Sequence, residues 1–361
     1  MRKRLIGLLL ASCIAAVAHA DILSIREDVP ERYVVKSGDT LWDIAELFLQ
    51  SPWRWNEIWY QNPQIENPHL IFPGDIIGLQ WIDGEPRLTT LERGLEADTV
   101  RLTQDMADNG VVRLQPSVRY FNVDQAIPAI PREYIQPFLN ASQIVTGEEL
   151  NAAAYVVSGE EGRIVIGAGD RLYARGDWGG DGVAYELFRA GEAYRDPVTN
   201  DFLGVEAIAL GRAEMEAIQG DVAKLHVVSS RSNVRLGDRL LLSERARLEP
   251  TFFPATPPEG MAGQILDVVE GLSIIGQFNV VLLNRGAADG VATGHVFDIM
   301  RQGEVVRDPI NNQLIRLPEE QGGMMMVFRV FDRMSYALVM EATNTMKVGD
   351  RFRVPSIRRI P

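Results

Sequence analysis

The sequence predicts an α+β protein, in which a small βααβ module is followed by a mainly-β region built from two tandem repeats. Two observations support this prediction. Residues 33–79 contain a short strand pattern, two amphipathic helix patterns and a closing strand pattern. Residues 185–240 align without gaps on residues 297–352, at a constant offset of 112. The chain has 361 residues, of which 46% are apolar, so each unit can have its own hydrophobic core.

The N-terminus has the pattern of a secretory signal peptide. Basic residues at positions 2–4 precede an apolar run and then Ala18-His19-Ala20, an Ala-x-Ala cleavage site. We therefore expect residues 1–20 to be removed and the mature chain to lie in the periplasm or cell envelope. Leu10-Ala11-Ser12-Cys13 also resembles a bacterial lipobox, so an outer-membrane lipoprotein anchored through Cys13 is the alternative. No apolar run is long enough for a transmembrane span.

The first half of the module is predicted to be a strand, a turn and a helix. Tyr33–Lys36 is a short β-like run, and in the turn Ser37-Gly38-Asp39 the glycine can adopt positive φ. Thr40 and Asp43 have the spacing of a capping box, which predicts that Thr40 caps the first helix. The apolar residues that follow recur at helical spacing.

A second helix and a closing strand complete the module. Ser51-Pro52 predicts the start of the helix, because serine can cap it and proline is accepted at the first helical position. Pro73-Gly74-Asp75 predicts a turn into a closing strand at Ile76–Leu79.

The motifs at the two ends of this module resemble those of LysM domains. They read Tyr-Val-Val-x-x-Gly-Asp-Thr-Leu-Trp-x-Ile-Ala from Tyr33, and Asn-Pro-x-Leu-Ile-x-Pro-Gly-Asp up to Asp75. The resemblance implies a LysM module at residues 32–80. Such modules bind peptidoglycan and chitin-type glycans through N-acetylglucosamine units, in a shallow groove between two loops. The resemblance places these residues in the two loops: Gly38, Asp39, Thr40, Leu41, Leu70, Ile71, Phe72, Pro73 and Gly74.

The residue types in these loops suit an amino sugar. An acetamido group needs hydrogen-bond donors, acceptors and a small apolar surface for its methyl group, and turns that contain glycine leave the backbone accessible. Residues 49–55 and 61–67 make this module longer than its commoner form, and residues 49–55 add two tryptophans. These departures affect which sugars fit the groove.

Five of the six tryptophans lie between positions 42 and 81. We expect Trp42, Trp55 and Trp59 to form the core of the module, because a small domain must bury large side chains to be stable. Trp53 falls on the helix face opposite Trp55. The spacing therefore predicts that Trp53 is an exposed ring for sugar stacking or for contact with a partner.

The two repeats share clustered turn residues. Arg-Asp-Pro-x-x-Asn occurs at residues 195–200 and 307–312, and Gly-Asp-Arg at 237–239 and 349–351. Proline fixes φ and asparagine tolerates the left-handed region, so these motifs predict hairpin connections. We interpret the charged residues as turn residues with local ion pairs, not as a functional site.

The remaining boundaries follow from these patterns. Thr90–Asp108 is a predicted helix, and Thr146–Glu149 has the spacing of a second capping box. The expected divisions are a connecting region at 81–130, β-rich repeat 1 at 131–245, a proline-rich linker at 246–260 and β-rich repeat 2 at 261–355.

Composition and motifs argue against several activities. After residue 20 the chain has 33 basic against 49 acidic residues and no basic cluster, so nucleic acid is not an expected partner. Cys13 is the only cysteine, which excludes thiolate catalysis in a chain cleaved after residue 20. His69, His226 and His295 are isolated, so neither a metal nor another cofactor is expected.

These features predict a non-catalytic, exported protein that binds peptidoglycan glycan strands. The β-rich tail would act as a spacer or as a docking domain for an envelope protein, and no catalytic residue is assigned. Two alternatives remain. One is a cell-wall glycosidase that uses paired carboxylates, since 49 acidic residues always include some pair. The other is an envelope scaffold whose tail binds protein.

Overall fold

The computed structural model describes residues 24–59, 71–82, 85–92, 127–139, 142–178, 184–242, 252–269 and 274–356. These residues form a small N-terminal module with helices and strands, followed by two six-stranded β-barrels. The α+β class and the mainly-β C-terminal region are confirmed. Within the described ranges, every helix is too short or too polar to cross a lipid bilayer.

The N-terminal module contains the predicted βααβ order and one further strand. Its first helix begins as predicted, because Thr40 Oγ1 accepts from the Asp43 amide at 3.1 Å and the Thr40 amide donates to Asp43 Oδ2 at 3.0 Å. The strands form an antiparallel sheet in the order β1-β2-β3. The elements are β1 (Tyr33–Val34), α1 (Leu41–Phe48), a 3-10 turn (Pro52–Arg54), α2 (Trp55–Trp59), β2 (Ile76–Ile82) and β3 (Glu85–Glu92).

The prediction of a helix over Thr90–Asp108 is wrong at its start. Thr90 belongs to β3 and is paired with Ile77 of β2. A helix would satisfy the backbone groups of Thr90 locally, whereas pairing with β2 satisfies them in a sheet. Residues 93–108 lie outside the described ranges.

Among the described residues, two short α-helices and nine strands form the middle of the chain. The second of these helices, α4 (Gly147–Ala152), has the predicted capping box, with Thr146 Oγ1 accepting from the Glu149 amide at 3.1 Å. Six strands close a barrel in the order β5-β7-β10-β9-β8-β12, and β4 pairs with β9. The elements are α3 (Arg132–Leu139), β4 (Ser142–Val145), α4 (Gly147–Ala152), β5 (Ala154–Gly159), β6 (Val165–Ile166), β7 (Arg171–Arg175), β8 (Ala184–Arg195), β9 (Phe202–Gln219), β10 (Val222–Ser230), β11 (Val234–Arg235) and β12 (Arg239–Leu242).

The second barrel repeats this strand order. It closes as β13-β15-β20-β19-β16-β22, which matches the first barrel strand for strand, and the pair β14–β21 corresponds to β6–β11. The strands are β13 (Ala262–Val268), β14 (Ile274–Ile275), β15 (Val280–Leu283), β16 (Val296–Arg301), β17 (Val305–Arg307), β18 (Leu314–Arg316), β19 (Glu320–Val330), β20 (Ser335–Ala342), β21 (Met346–Lys347) and β22 (Arg351–Arg353).

Five Gly-Asp dipeptides form the same turn. In each one the aspartate amide donates to the carbonyl three residues earlier, and its carboxylate accepts from the amide of that same residue. Each glycine has φ between 87° and 94°, as the third position of a type II turn requires. The glycines are Gly38, Gly74, Gly169, Gly237 and Gly349.

The N-terminal module packs on the second barrel. Trp42 and Trp53 belong to one apolar cluster with residues of β15, β19 and β20. Asn56 Nδ2 of α2 donates to the Pro254 carbonyl at 3.2 Å. The two barrels are also joined, because Asp196 at the tip of the β8–β9 hairpin accepts from Asn284 Nδ2 at 2.8 Å. The module and the two barrels are therefore in direct contact.

Candidate functional site

Two turns of the N-terminal module lie side by side, at residues 36–41 and 71–75. The Val35 amide donates to the Asp75 carbonyl at 2.9 Å, and the Gly74 amide donates to the Val35 carbonyl at 2.7 Å. These bonds hold the loop before α1 against the loop before β2. The structure thus brings together eight of the nine sequence-predicted site residues, and Leu70 lies outside the described ranges.

The polar side chains of the first loop make hydrogen bonds that stabilise the conformation of the loop. Asp39 Oδ2 accepts from the Tyr33 hydroxyl at 2.9 Å and from the Lys36 amide at 2.8 Å. Burial, and then the hydrogen bond to Asp39, raises the pKa of Tyr33 to about 12. Thr40 donates its hydroxyl proton to Asp43 Oδ2 at 2.8 Å. A ligand of this groove would therefore be recognised mainly by backbone groups.

A segment of the same chain lies across these backbone groups. The amides of Leu41 and Trp42, at the start of α1, donate to the carbonyls of Pro128 at 3.0 Å and Ala129 at 3.3 Å. On the other loop, the Ile71 carbonyl accepts from the Ile127 amide at 2.9 Å. Residues 127–129 therefore bridge the two predicted glycan-binding loops.

The remaining predicted residues differ in accessibility. Thr40, Leu41, Ile71 and Phe72 are buried. Gly38 and Pro73 are exposed.

The residues that the sequence motifs do not indicate are those of the bridging segment, residues 127–129, which lie more than fifty positions beyond Ile71 along the chain. The available signal is the repeated Ala-Ile-Pro at 126–131, because a residue before proline favours an extended backbone.

The prediction for Trp53 is wrong. Its side chain is only 6% exposed and lies in the cluster shared with the second barrel. The 3-10 turn at Pro52–Arg54 replaces the first turn of the expected helix, and the barrel covers the face that helical spacing assigns to solvent. Trp55 is buried in the core of the module as predicted, and the side chain of Trp59 lies outside the described set. Trp42 is also buried, but it lies in the cluster shared with the second barrel and not in the core of the module. Trp81, at the far end of β2, is 67% exposed.

A cleft of about 400 Å³ separates the module from the second barrel. Glu46 of α1, Glu341 of β20 and Asp298 of β16 line it. Asp298 is buried and accepts from Gln321 Nε2 at 2.9 Å. Burial, and then the charge of Glu341, raises the pKa of Glu46. Because carboxylates share this cleft, it is the place where the glycosidase alternative can be tested.

The two histidines within the described ranges, His226 and His295, lie among elements of the barrels. His295 is buried, and its Nδ1 accepts from the Ala292 amide at 3.1 Å. Burial lowers the pKa of His295. His226 lies within β10, and His69 is outside the described ranges. In the part of the chain that the structure describes, no three His, Cys, Asp or Glu side chains are grouped as metal ligands.

Comparison with known proteins supports the assignment of the module. Residues 33–78 match the LysM domain family. The chain is also similar to an uncharacterised protein of Bacillus subtilis, YqbP, with 40% identity over 58 residues, which is 13% of this chain and 26% of YqbP. The chain thus matches about a quarter of the length of that relative. LysM domains are binding domains for peptidoglycan and chitin-type glycans, not catalytic domains. Residues 33–78 of this chain are therefore a LysM domain, placed ahead of two β-barrels.

Proposed function

We propose that this protein is an exported, non-catalytic protein that binds peptidoglycan through N-acetylglucosamine units. The glycan would lie between the loop of residues 38–41 and the loop of residues 70–74. The observation that carries this proposal is the groove itself, where two glycine-containing turns hold backbone donors and an acceptor within reach of one ligand.

The groups in the groove fit an acetamido substituent. The Leu41 and Trp42 amides are directed out of the first turn of α1, where helix geometry leaves them without a partner inside the helix. The Ile71 carbonyl faces the same space as an acceptor. An acetamido group offers one carbonyl oxygen, one N–H and one methyl group, so it can satisfy donors and an acceptor at once and bury its methyl group against the apolar edge of the module.

Export is part of the proposal and rests on the sequence. Residues 1–20 have the signal-peptide pattern and lie outside the described ranges. Cleavage after Ala20 would give a mature chain that starts at Asp21. Lipidation at Cys13 would give a heavier mature chain that starts at the cysteine. The mass of the protein recovered from cell envelopes separates these two outcomes.

A single LysM site should be weak, in the micromolar to millimolar range of dissociation constants. Glycan strands repeat the ligand many times, so an oligomer of the protein, which presents several linked grooves, would be retained by avidity. The two barrels would then act as a spacer or docking region behind the glycan-binding module.

A titration with N-acetylglucosamine oligomers tests the proposal. In the full chain, the amide resonances of Gly38, Leu41 and Gly74 should shift as the oligomer is added. Glucose oligomers of the same length, which lack the acetamido group, are the matched control and should leave these resonances in place. Unchanged resonances with both sugars at millimolar concentration would contradict the proposal.

A second candidate function is a scaffold whose tail binds protein. It is favoured by a difference between two equivalent hairpins, one in each barrel, because the first contacts the other barrel through its turn aspartate and the second uses its turn aspartate within its own turn. Asp196 bonds the amides of Val198 and Thr199 in its own turn and also Asn284 of the other barrel. Asp308, the equivalent residue of the second barrel, bonds the amides of Ile310 and Asn311 in its own turn. Ile310 is 93% exposed.

The first hairpin indicates what kind of partner the second one fits. Asn284 and Arg285 contact Asp196 through a carboxamide and a guanidinium, at 2.8 Å and 3.5 Å. A protein surface that presents the same two groups would match Asp308 of the second hairpin. Replacing Asp308 with alanine should weaken association with such a partner, and unchanged association would count against this second candidate.

A further inference from the structure

Residues 127–130, which we call the strap, offer the groove the same chemical groups as an amino sugar. Ile127 supplies an N–H to the Ile71 carbonyl, and Pro128 and Ala129 supply carbonyl oxygens to the first amides of α1. Ala129 adds a methyl group that is only 4% exposed. An acetamido group presents an N–H, a carbonyl oxygen and a methyl group, so the strap and the sugar satisfy the same requirements of the groove.

The strap is packed into the module and does not merely lie over it. Ile127 and Ala129 belong to the apolar cluster that forms the core of the LysM domain, together with Leu41 and Ile71. Ile127 is 4% exposed. Burial of a large apolar side chain and three backbone hydrogen bonds both stabilise the arrangement in which the strap lies in the groove.

The other end of the strap is attached to the second barrel. Ile130 is 1% exposed and belongs to the cluster shared with that barrel. In the helix α3 that follows, the Tyr134 ring stacks on Phe278 with centroids 4.4 Å apart. Arg329 Nη1 of β19 donates to the Phe138 carbonyl at 3.0 Å. The strap thus connects the groove of the LysM domain directly to the barrel behind it.

We propose that the strap is an internal competitor of the glycan, so that the LysM groove binds N-acetylglucosamine units only when residues 127–130 leave it. This inference rests on the proposed function, because it concerns the same groove. The apparent dissociation constant of the glycan equals the intrinsic constant divided by the fraction of molecules with an open groove. A closed strap therefore weakens glycan binding, and anything that pulls α3 from the second barrel strengthens it.

The test compares three full-length proteins: wild type, Ile127→Ala and Ile166→Ala. Ile127 and Ile166 are both almost fully buried, but Ile127 packs in the LysM core, whereas Ile166 packs in the core of the first barrel and contacts neither the strap nor α3 through its cluster. Truncating Ile127 removes buried contacts that hold the strap closed, and the cost of such a truncation is enough to favour strap opening by at least tenfold. Titration with an N-acetylglucosamine oligomer should show affinity at least tenfold higher for Ile127→Ala, and within about twofold of wild type for Ile166→Ala.

Each outcome decides between the two proposals. Equal glycan affinity in all three proteins would overturn the competition while leaving the proposed function intact. Absence of binding in wild type and in Ile127→Ala would overturn the proposed function, and the competition with it. If Ile127→Ala does not fold by circular dichroism, Ala129→Gly replaces it, with tighter binding again expected.

A measurement on the wild type needs no variant. The amide resonances of Ala129 and Ile130 should move toward unfolded-chain positions as the oligomer saturates the groove. Resonances that stay in place while those of Leu41 shift would also overturn the competition.

Discussion

Replacing Trp53 with alanine distinguishes the structure from the sequence-based expectation. The sequence places Trp53 on an exposed face, where a ring could stack on sugar. The structure buries it between the LysM domain and the second barrel, in a cluster with Met324 and Met326. A stacking residue and a packing residue respond differently to truncation, since the first affects binding and the second affects stability.

The expected magnitude follows from burial. Trp53 retains only 6% of its accessible surface, and truncation of a buried tryptophan to alanine costs about 3–5 kcal/mol. That cost is about a 10²- to 4 × 10³-fold change in the equilibrium between the docked and undocked module. Because the chain has more than one folded unit, it should not unfold in a single two-state transition. The lost stability should therefore appear as separation of the module from the second barrel at a lower urea concentration.

The assay combines urea unfolding, followed by circular dichroism, with retention on purified sacculi. Trp81→Ala is the matched control, because Trp81 is 67% exposed and its truncation should change stability by less than about 0.5 kcal/mol. In Trp53→Ala the module should separate from the second barrel at lower urea, and the protein should keep its retention on sacculi. Wild-type stability together with lost retention would refute the packing assigned to Trp53.

Further predictions concern the barrels and the cleft. Asp196→Ala should cost about 1–3 kcal/mol more than Asp308→Ala in urea unfolding, because only the first also loses the bond from Asn284; equal costs would contradict this. Asp196 is buried, but the hydrogen bonds from two turn amides and from Asn284 lower its pKa. The ionised carboxylate therefore stabilises the fold above about pH 3.8, and this stabilisation should fade as the pH falls below that value. Asp196→Asn should lose less stability than wild type over the same acid range. Burial lowers the pKa of His295, so the second barrel should lose stability as pH falls below about 6.5, and His295→Gln should reduce that slope. A peptidoglycan zymogram should show no clearing, and clearing that Glu341→Gln abolishes would establish the glycosidase alternative.

Local signals are sufficient for the boundaries of several elements. The capping boxes at Thr40 and Thr146 involve residues three positions apart, so the sequence contains both partners of each hydrogen bond. The Gly-Asp turns are also local, and their glycine φ values agree with the turn interpretation. The groove loops can therefore be located from short sequence motifs alone.

Long-range packing accounts for what the sequence does not indicate. Trp53 is buried by strands more than 200 positions away, and periodicity within a helix carries no information about such a neighbour. The strap reaches the groove from a distant part of the chain, so the loop motifs give no sign that Leu41 and Ile71 already have hydrogen-bond partners. The constant offset of 112 residues relates strands of the two barrels to each other, but it does not indicate which strands pair to close each barrel. In the structure β9 pairs with β10 and β19 pairs with β20.

Transferred nuclear Overhauser effects test recognition in the LysM groove most directly. With an N-acetylglucosamine oligomer and the full-length protein, the acetamido methyl protons should show contacts to Leu41 and Ile71. Contacts to Trp81 or to residues of the cleft, with none to Leu41 or Ile71, would contradict recognition between the two loops.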